Sequence, residues 1–413
     1  MHILFLTDNF PPEVNAPASR TFEHASEWVT VGHQVTIITC APNFPNGRVF
    51  EGYRNRLWHS EMMGQIRVIR VWSFITANEG FILRILDYLS FMFSATLAAL
   101  FVKQVDMVIG TSPQFFTVCA AYLVSRIKQK PFVFELRDMW PESIKAVGAM
   151  KNSLAIGVLG QIEMFLYRKA ERIVSVTHSF KRKLIERGID GEKIRVVTNG
   201  VDLTRFKPMS RDKSLAQELR LTGCFVAGYV GTHGLAHGLE TLLDTAEIFQ
   251  NEGRTDVRFL FLGDGSRKSV LVDDALRRKL QNVVFLDSVP KSEVVRYWSL
   301  VDVSIIHLRD TELFATVIPS KMFESMGMGI PILHGVPGES ADMVEREGVG
   351  IVFPSGNAEA LHAALSSLVN DAAQCDELKK RCIAAAPSYD RKILAAAMLK
   401  ILTGTQSRTN APV

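Results

Sequence analysis

Cysteine is sparse: the five in the chain (Cys40, Cys119, Cys224, Cys375, Cys382) are odd in number, scattered, and never spaced C-x-x-C. That excludes zinc ribbons and a disulfide framework, and a reducing cytosol fits best. Charge of one sign is also lacking, since 47 Lys+Arg against 43 Asp+Glu leaves only +4, too little for a dedicated nucleic-acid binder. No low-complexity tract occurs, nor any internal repeat at a period of roughly 20–50 residues. The N-terminus, Met1-His2-Ile3-Leu4, has no basic n-region and no small-residue cleavage site, so no signal peptide is expected. Long apolar runs are missing too. The best candidate, residues 89–102, falls short of the ~20 residues a spanning helix needs. It reads as a buried crossover helix or, alternatively, as a helix that dips into a bilayer surface.

What is present is globular. The chain has 413 residues, 47% hydrophobic and 22% charged, enough for two to three packed domains and far from the composition of disorder. Short apolar runs at 3–7, 35–39, 66–71, 107–110, 132–135, 173–176 and 195–198 alternate with amphipathic stretches such as 19–31 and 161–171. The pattern then restarts, with runs at 225–230, 258–262, 282–285, 303–306, 330–333 and 350–353 and helices between them. Near-continuous apolar strands separated by helices imply buried parallel sheet, hence two consecutive doubly wound α/β halves. We expect a first domain over residues 1–200 and a second over 201–386, with the break near Gly200–Pro208. A helix follows at 387–403, and residues 404–413 read as a disordered tail.

Open parallel sheets bind ligands beyond the carboxyl ends of their strands, so residues just after strands are informative. The loop from Asp8 to Pro17, carrying Asn15 and followed by Arg20, is longer than a usual βα link and aims a helix N-terminus at a ligand, or it is an ordinary connection. The run Gly228-Tyr229-Val230-Gly231-Thr232-His233-Gly234-Leu235-Ala236-His237-Gly238 joins a strand to a helix through a glycine-rich turn suited to phosphate. It is neither G-x-G-x-x-G nor a P-loop. His233 and His237 are spaced as a metal pair on a helix face, but no third ligand is evident and hydrogen bonding to phosphate or sugar is the better use.

Glu135, Arg137 and Asp138 cluster at a strand end before Trp140-Pro141-Glu142. They either satisfy one another or present Arg137 and Asp138 to a polar substrate. Ser320, Lys321 and Glu324 open a half-buried helix, where a lysine suits phosphate and a carboxylate suits a ribose diol. Leu262-Gly263-Asp264-Gly265 is a strand and tight turn, and Asn199 ends the first series.

In this order the residues resemble the glycosyltransferase family 4 enzymes of the GT-B fold, over nearly the whole chain. The most specific segments are 173–177 through Asn199-Gly200-Val201-Asp202, Leu262-Gly263-Asp264-Gly265, and 323–331. The segments Arg137–Ser143 and Pro319-Ser320-Lys321 look like a bacterial subgroup that builds surface polysaccharides, including N-acetyl-fucosamine transferases of O-antigen assembly. The resemblance implies two Rossmann-like domains facing across a cleft, with the nucleotide-sugar on the second, the acceptor on the first, and the terminal helix crossing back to the first. It also implies retention of anomeric configuration without a metal or other cofactor. In keeping with that, the sequence has no Asp-x-Asp motif.

Departures are specific. The position eight before Glu324, a glutamate in the family, is Thr316, and Glu312 does not have the spacing to replace it. Thr232 and His237 stand roughly where the family has arginine and lysine, so Lys321 and Arg309 become the candidate positive charges, and Arg137 stands at the family histidine. The implied roles are these. Gly231, Thr232, His233, Gly234, His237, Asn199, Gly263, Ser320, Lys321 and Glu324 bind the donor. Asp138, Arg137 and Lys321 carry catalysis, while Asn15, Arg20 and Glu142 serve the acceptor side. The expected protein is a cytoplasmic enzyme, peripheral on the inner membrane face, moving sugar from a nucleotide diphosphate sugar to a lipid-linked saccharide. A nucleotide-sugar 2-epimerase and a non-catalytic partner subunit of the same fold are the alternatives.

Overall fold

The computed structural model describes residues 1–44, 46–76, 81–139 and 153–409. The chain forms two compact units, Met1–Thr198 with Arg391–Val413, and Asn199–Asp390. The chain therefore passes between units at Thr198 and at Asp390, rather than after residues 200 and 386.

Among the described residues of the first unit, eight strands form one sheet in the order β3-β4-β2-β1-β5-β6-β7-β8. They are β1 (His2–Leu6), β2 (Gln34–Cys40), β3 (Trp58–Met63), β4 (Ile66–Val71), β5 (Met107–Thr111), β6 (Phe132–Leu136), β7 (Arg172–Ser175) and β8 (Ile194–Val196). All pairings are parallel except that of β3 with β4. The central strands are buried on both faces, which is why they read as continuous apolar runs. β3 was not foreseen, because an edge strand with a wet face lacks such a run.

Helix α1 (Ala16–Thr30) begins three residues earlier than its pattern suggests, because the Asn15 side chain caps the Ala18 amide and Pro17 suits the first turn. α2 (Phe81–Leu100) and α3 (Phe115–Lys128) pack together, and α4 (Ser153–Lys169) and α5 (His178–Glu186) follow. α2 is only partly the buried crossover helix expected: Phe91, Ala95, Ala98 and Ala99 are buried, whereas Phe93 and Leu97 are exposed.

The second unit has six described strands, all parallel, in the order β11-β10-β9-β12-β13-β14. They are β9 (Phe225–Val230), β10 (Val257–Leu262), β11 (Val283–Leu286), β12 (Val303–His307), β13 (Ile332–Gly335) and β14 (Gly350–Val352). Two apolar clusters cover its faces, one around Leu260, Trp298 and Phe323, the other around Phe249, Phe259 and Leu361. Its helices are α6 (Lys213–Glu218), α7 (Glu240–Asn251), α8 (Lys268–Arg277), α9 (Val294–Trp298), α10 (Ser320–Met328), α11 (Glu339–Glu347), α12 (Ala358–Asn370) and α13 (Ala372–Ala385).

The last helix, α14 (Arg391–Thr409), returns to the first unit. Trp28 Nε1 donates to the Ala395 carbonyl at 2.9 Å, Arg391 pairs with Glu23, and Ala395, Met398 and Leu402 are fully buried beside Trp28. The helix continues through residues 404–409, which the sequence reading assigned to a disordered tail.

Candidate active site

In the second unit, two strand ends converge. Gly231 follows β9 and Gly263 follows β10, and their turns interlock: the Gly231 amide donates to the Leu262 carbonyl at 2.9 Å and the His233 amide to the Asp264 carbonyl at 2.8 Å. Both glycines have positive φ, +141° and +146°. A Cβ on Gly263 would sit 1.9 Å from the Gly231 carbonyl oxygen, so the two turns approach as closely as they do only because side chains are absent. Gly263→Ala is therefore expected to lose at least about 1–3 kcal/mol of stability from backbone strain. A melting temperature equal to wild type would disprove this close approach.

Lys321, in the first turn of α10, reaches this turn. Its Nζ lies 3.6 Å from the centroid of the Tyr229 ring, and a Cβ on Gly231 would meet it at 3.0 Å. Among the described residues that ammonium has no hydrogen-bond partner. Burial brings its pKa down to about 7, against the pull of the nearby Glu324 carboxylate. A cation held over a glycine turn at a helix start, without a hydrogen-bond partner among the described residues, can receive an anion.

The other expected donor residues divide. The amides of Gly231 and His233 are already used within the turns, so of this stretch the amides of Thr232 and Gly234 are the ones that can serve a ligand. His233 is enclosed: its ring is fully buried against Tyr229, Phe261 and Phe285, and both ring nitrogens lack partners among the described residues. Burial, with Lys268 and Lys321 nearby, lowers its pKa to about 4, so it packs as a neutral ring. His237 is likewise neutral, at about 3, chiefly through burial. It ends a 3₁₀ turn, Leu235–His237, that His233 precedes, so the two do not share a helix face as their spacing suggested. Ser320 and Glu324 stand half-buried on α10, and Asn199 is half-buried at the start of the unit. Arg309 is drawn toward Glu240, at 3.9 Å, and its amide donates to the Ala236 carbonyl.

Two supports went unseen. His307, at the end of β12, donates from Nδ1 to the His237 carbonyl at 2.7 Å and accepts the Gly356 amide on Nε2 at 2.9 Å, which fixes its tautomer. Lys268 Nζ donates to the Gly263 and Leu286 carbonyls at 2.9 and 2.8 Å, bracing the second turn. The rule that strand ends carry ligands could have found His307; Lys268 left no signal.

In the first unit, Arg20 is corrected from a free charge to a structural one. It is buried, donating from Nε to Glu135 at 2.9 Å and from its other nitrogens to the carbonyls of Val197 and Thr198. Glu135 thus pairs with Arg20 of α1, while its neighbour Arg137 acts on it through its charge alone. Arg137 is left with Nε and Nη1 unpartnered among the described residues, and burial lowers its pKa to about 10. The amides of Arg137 and Asp138 donate to Ser112 Oγ, fixing both after β6. Glu142 lies outside the described residues.

Asn15 serves as a helix cap and donates to Asn9, beside a cavity of about 240 Å³ lined by Asp8, Asn9, Asn43, Asp87 and Tyr88. Burial and the charge of Asp8 push the Asp87 carboxyl up to about 7. Buried Glu13 accepts the amides of Phe10, Asn43 and Phe44, and so shapes the loop around that cavity.

Two family models match the chain: Glycosyltransferase Family 4 over residues 18–205 and Glycosyl transferases group 1 over residues 224–371. WbjE of Pseudomonas aeruginosa, named as a probable glycosyltransferase, is 24% identical over 70% of this chain and 70% of its own. WcaI of Escherichia coli, provisionally named a colanic acid biosynthesis glycosyl transferase, is 24% identical over 80% of this chain and 82% of its own. Among solved structures, HepE of Anabaena in complex with UDP is similar at a TM-score of 0.71, with 16% identity over 98% of this chain and 100% of its own.

Proposed function

The chain belongs to glycosyltransferase family 4, on the GT-B fold, and from that premise we propose that this glycosyltransferase moves a sugar from a UDP-linked donor to a lipid-linked saccharide in bacterial surface-polysaccharide biosynthesis. An N-acetylated deoxy-amino sugar is the donor class its motifs favour, transfer retains anomeric configuration, and no metal takes part. The reaction belongs to the cytoplasm, with the enzyme peripheral on the inner membrane face.

One observation carries the reading: the Lys321 ammonium, unpaired among the described residues, over the Gly231 turn. As the bond from anomeric carbon to diphosphate breaks, negative charge gathers on the leaving oxygens. Fixed donors aimed there stabilise the transition state more than the ground state. Lys321 and the Thr232 and Gly234 amides are such donors, and they supply the charge that a divalent ion supplies in other transferases. Glu324 holds the nucleotide ribose. Asp138 and Arg137 orient the acceptor hydroxyl and the donor sugar.

Thermal shift with a panel of nucleotides tests this directly. UDP at a hundred times its dissociation constant should add about 2.7 kcal/mol of stability, with EDTA present, and adenine nucleotides much less. A protein that no nucleoside diphosphate stabilises, or whose transfer EDTA abolishes, would sink the proposal.

A further inference from the structure

The outer face of α2 has no role in either site. Phe93 and Leu97 are 64% and 62% exposed, and Phe101 just beyond the helix is 75% exposed. Trp58 of β3 meets Phe101 edge-on at 6.1 Å, and Leu123 and Ile127 stand exposed on the neighbouring α3. So large a contiguous apolar face signals something that covers it.

The charges around it indicate what. Lys103, Arg126 and Lys130 are exposed, and Lys128 donates to the Leu100 and Val102 carbonyls at the end of α2. Between residues 100 and 130 the sole acidic residue is Asp106, whose carboxylate accepts the His2 amide. An apolar strip with aromatic ends and a basic rim complements anionic lipid headgroups over an acyl layer.

The segment Leu83–Leu100 is long and apolar enough to cross a membrane by length and composition. Its inner stripe, however, is built into the first unit, with Phe91, Ala95 and Ala99 buried. Spanning would strip that stripe from the core, so the helix can only lie in the interface plane.

We infer that the exposed face of α2, extended by Trp58 and Phe101 and rimmed by Lys103, Arg126 and Lys130, docks onto an anionic membrane surface. This deepens the membrane reading above and rests on it. The same helix presents Asp87 and Tyr88 to the first-unit cavity, so docking fixes the height of that cavity above the lipid.

Cosedimentation with phosphatidylglycerol-containing vesicles, against pure phosphatidylcholine, tests the inference. The wild-type protein should sediment with the anionic vesicles at low salt and remain largely soluble with the neutral ones. Phe93→Glu with Leu97→Glu should weaken vesicle binding by about tenfold or more, while UDP-induced thermal stabilisation is unchanged. Wild-type protein left in the supernatant with anionic vesicles overturns the inference, as does a double variant that still sediments. A wild-type dimer that the double variant turns into a monomer overturns it too, by putting a second copy on this face. Vesicle binding without any UDP stabilisation would instead sink the donor reading and leave the docking face standing.

Discussion

Lys321→Ala lowers sugar transfer by about 100- to 1000-fold while the protein stays folded, the scale of loss when one preorganised donor to a developing negative charge is removed. The fold survives because, among the described residues, Lys321 makes no side-chain hydrogen bond that the variant would orphan, and burying its amine is a cost to the free protein. The pH dependence has a definite sign. In the free protein Lys321 loses its proton through about pH 7. Below that the ammonium is already in place, and affinity for a UDP-sugar is flat. Above it, binding must take up a proton, so affinity falls by up to about tenfold per pH unit until the lysine of the complex itself titrates. Stability of the free protein moves the other way, rising above about pH 7 because the unfolded chain holds the lysine proton there and the folded chain does not. Isothermal titration of a UDP-sugar between about pH 6 and 9 reads both limbs. Near-normal kcat/KM in the alanine variant, or a flat affinity across that range, would remove Lys321 from the chemistry.

Glu135→Ala destabilises the first unit by about 3–5 kcal/mol, because Arg20 remains charged and buried without its carboxylate. For a unit of this size the fall in Tm is on the order of 10 °C. Burial alone would raise the Glu135 pKa, but Arg20 and then Arg137 overcome it and hold the group below the usual carboxylate range. The stability from this pair is therefore present above the ordinary glutamate range and lost as pH falls through it and below. Replacing both partners, Arg20→Met with Glu135→Leu, should recover part of the loss, since Arg20 is then not stranded and only the buried Arg137 loses a favourable neighbour. Urea denaturation gives the comparison, and a single variant as resistant as wild type would show that the pair contributes nothing.

The alternation of apolar runs with amphipathic stretches revealed both sheets, because a parallel strand under helices must be apolar on both faces. β3 escaped for the converse reason, as did the true start of α1, which an asparagine side chain sets rather than an apolar period. Looking beyond strand ends picked out Gly231, Gly263 and Lys321, which the fold does bring together. It did not show that His233 is enclosed by Phe261 and Phe285 from other strands, since nothing local marks such burial. Arg20 was misread: its partner lies 115 residues away, a distance no local pattern spans.

The return of α14 to the first unit has a consequence for biosynthesis. Ala395, Met398 and Leu402 complete the core around Trp28, although more than 350 residues separate them along the chain. A ribosome delivers β1 to β8 early, yet their hydrophobic layer stays unsealed until the entire second unit has been translated. The nascent amino-terminal half must therefore wait, partly uncovered, for the last helix, and over that interval its apolar surface is open to aggregation.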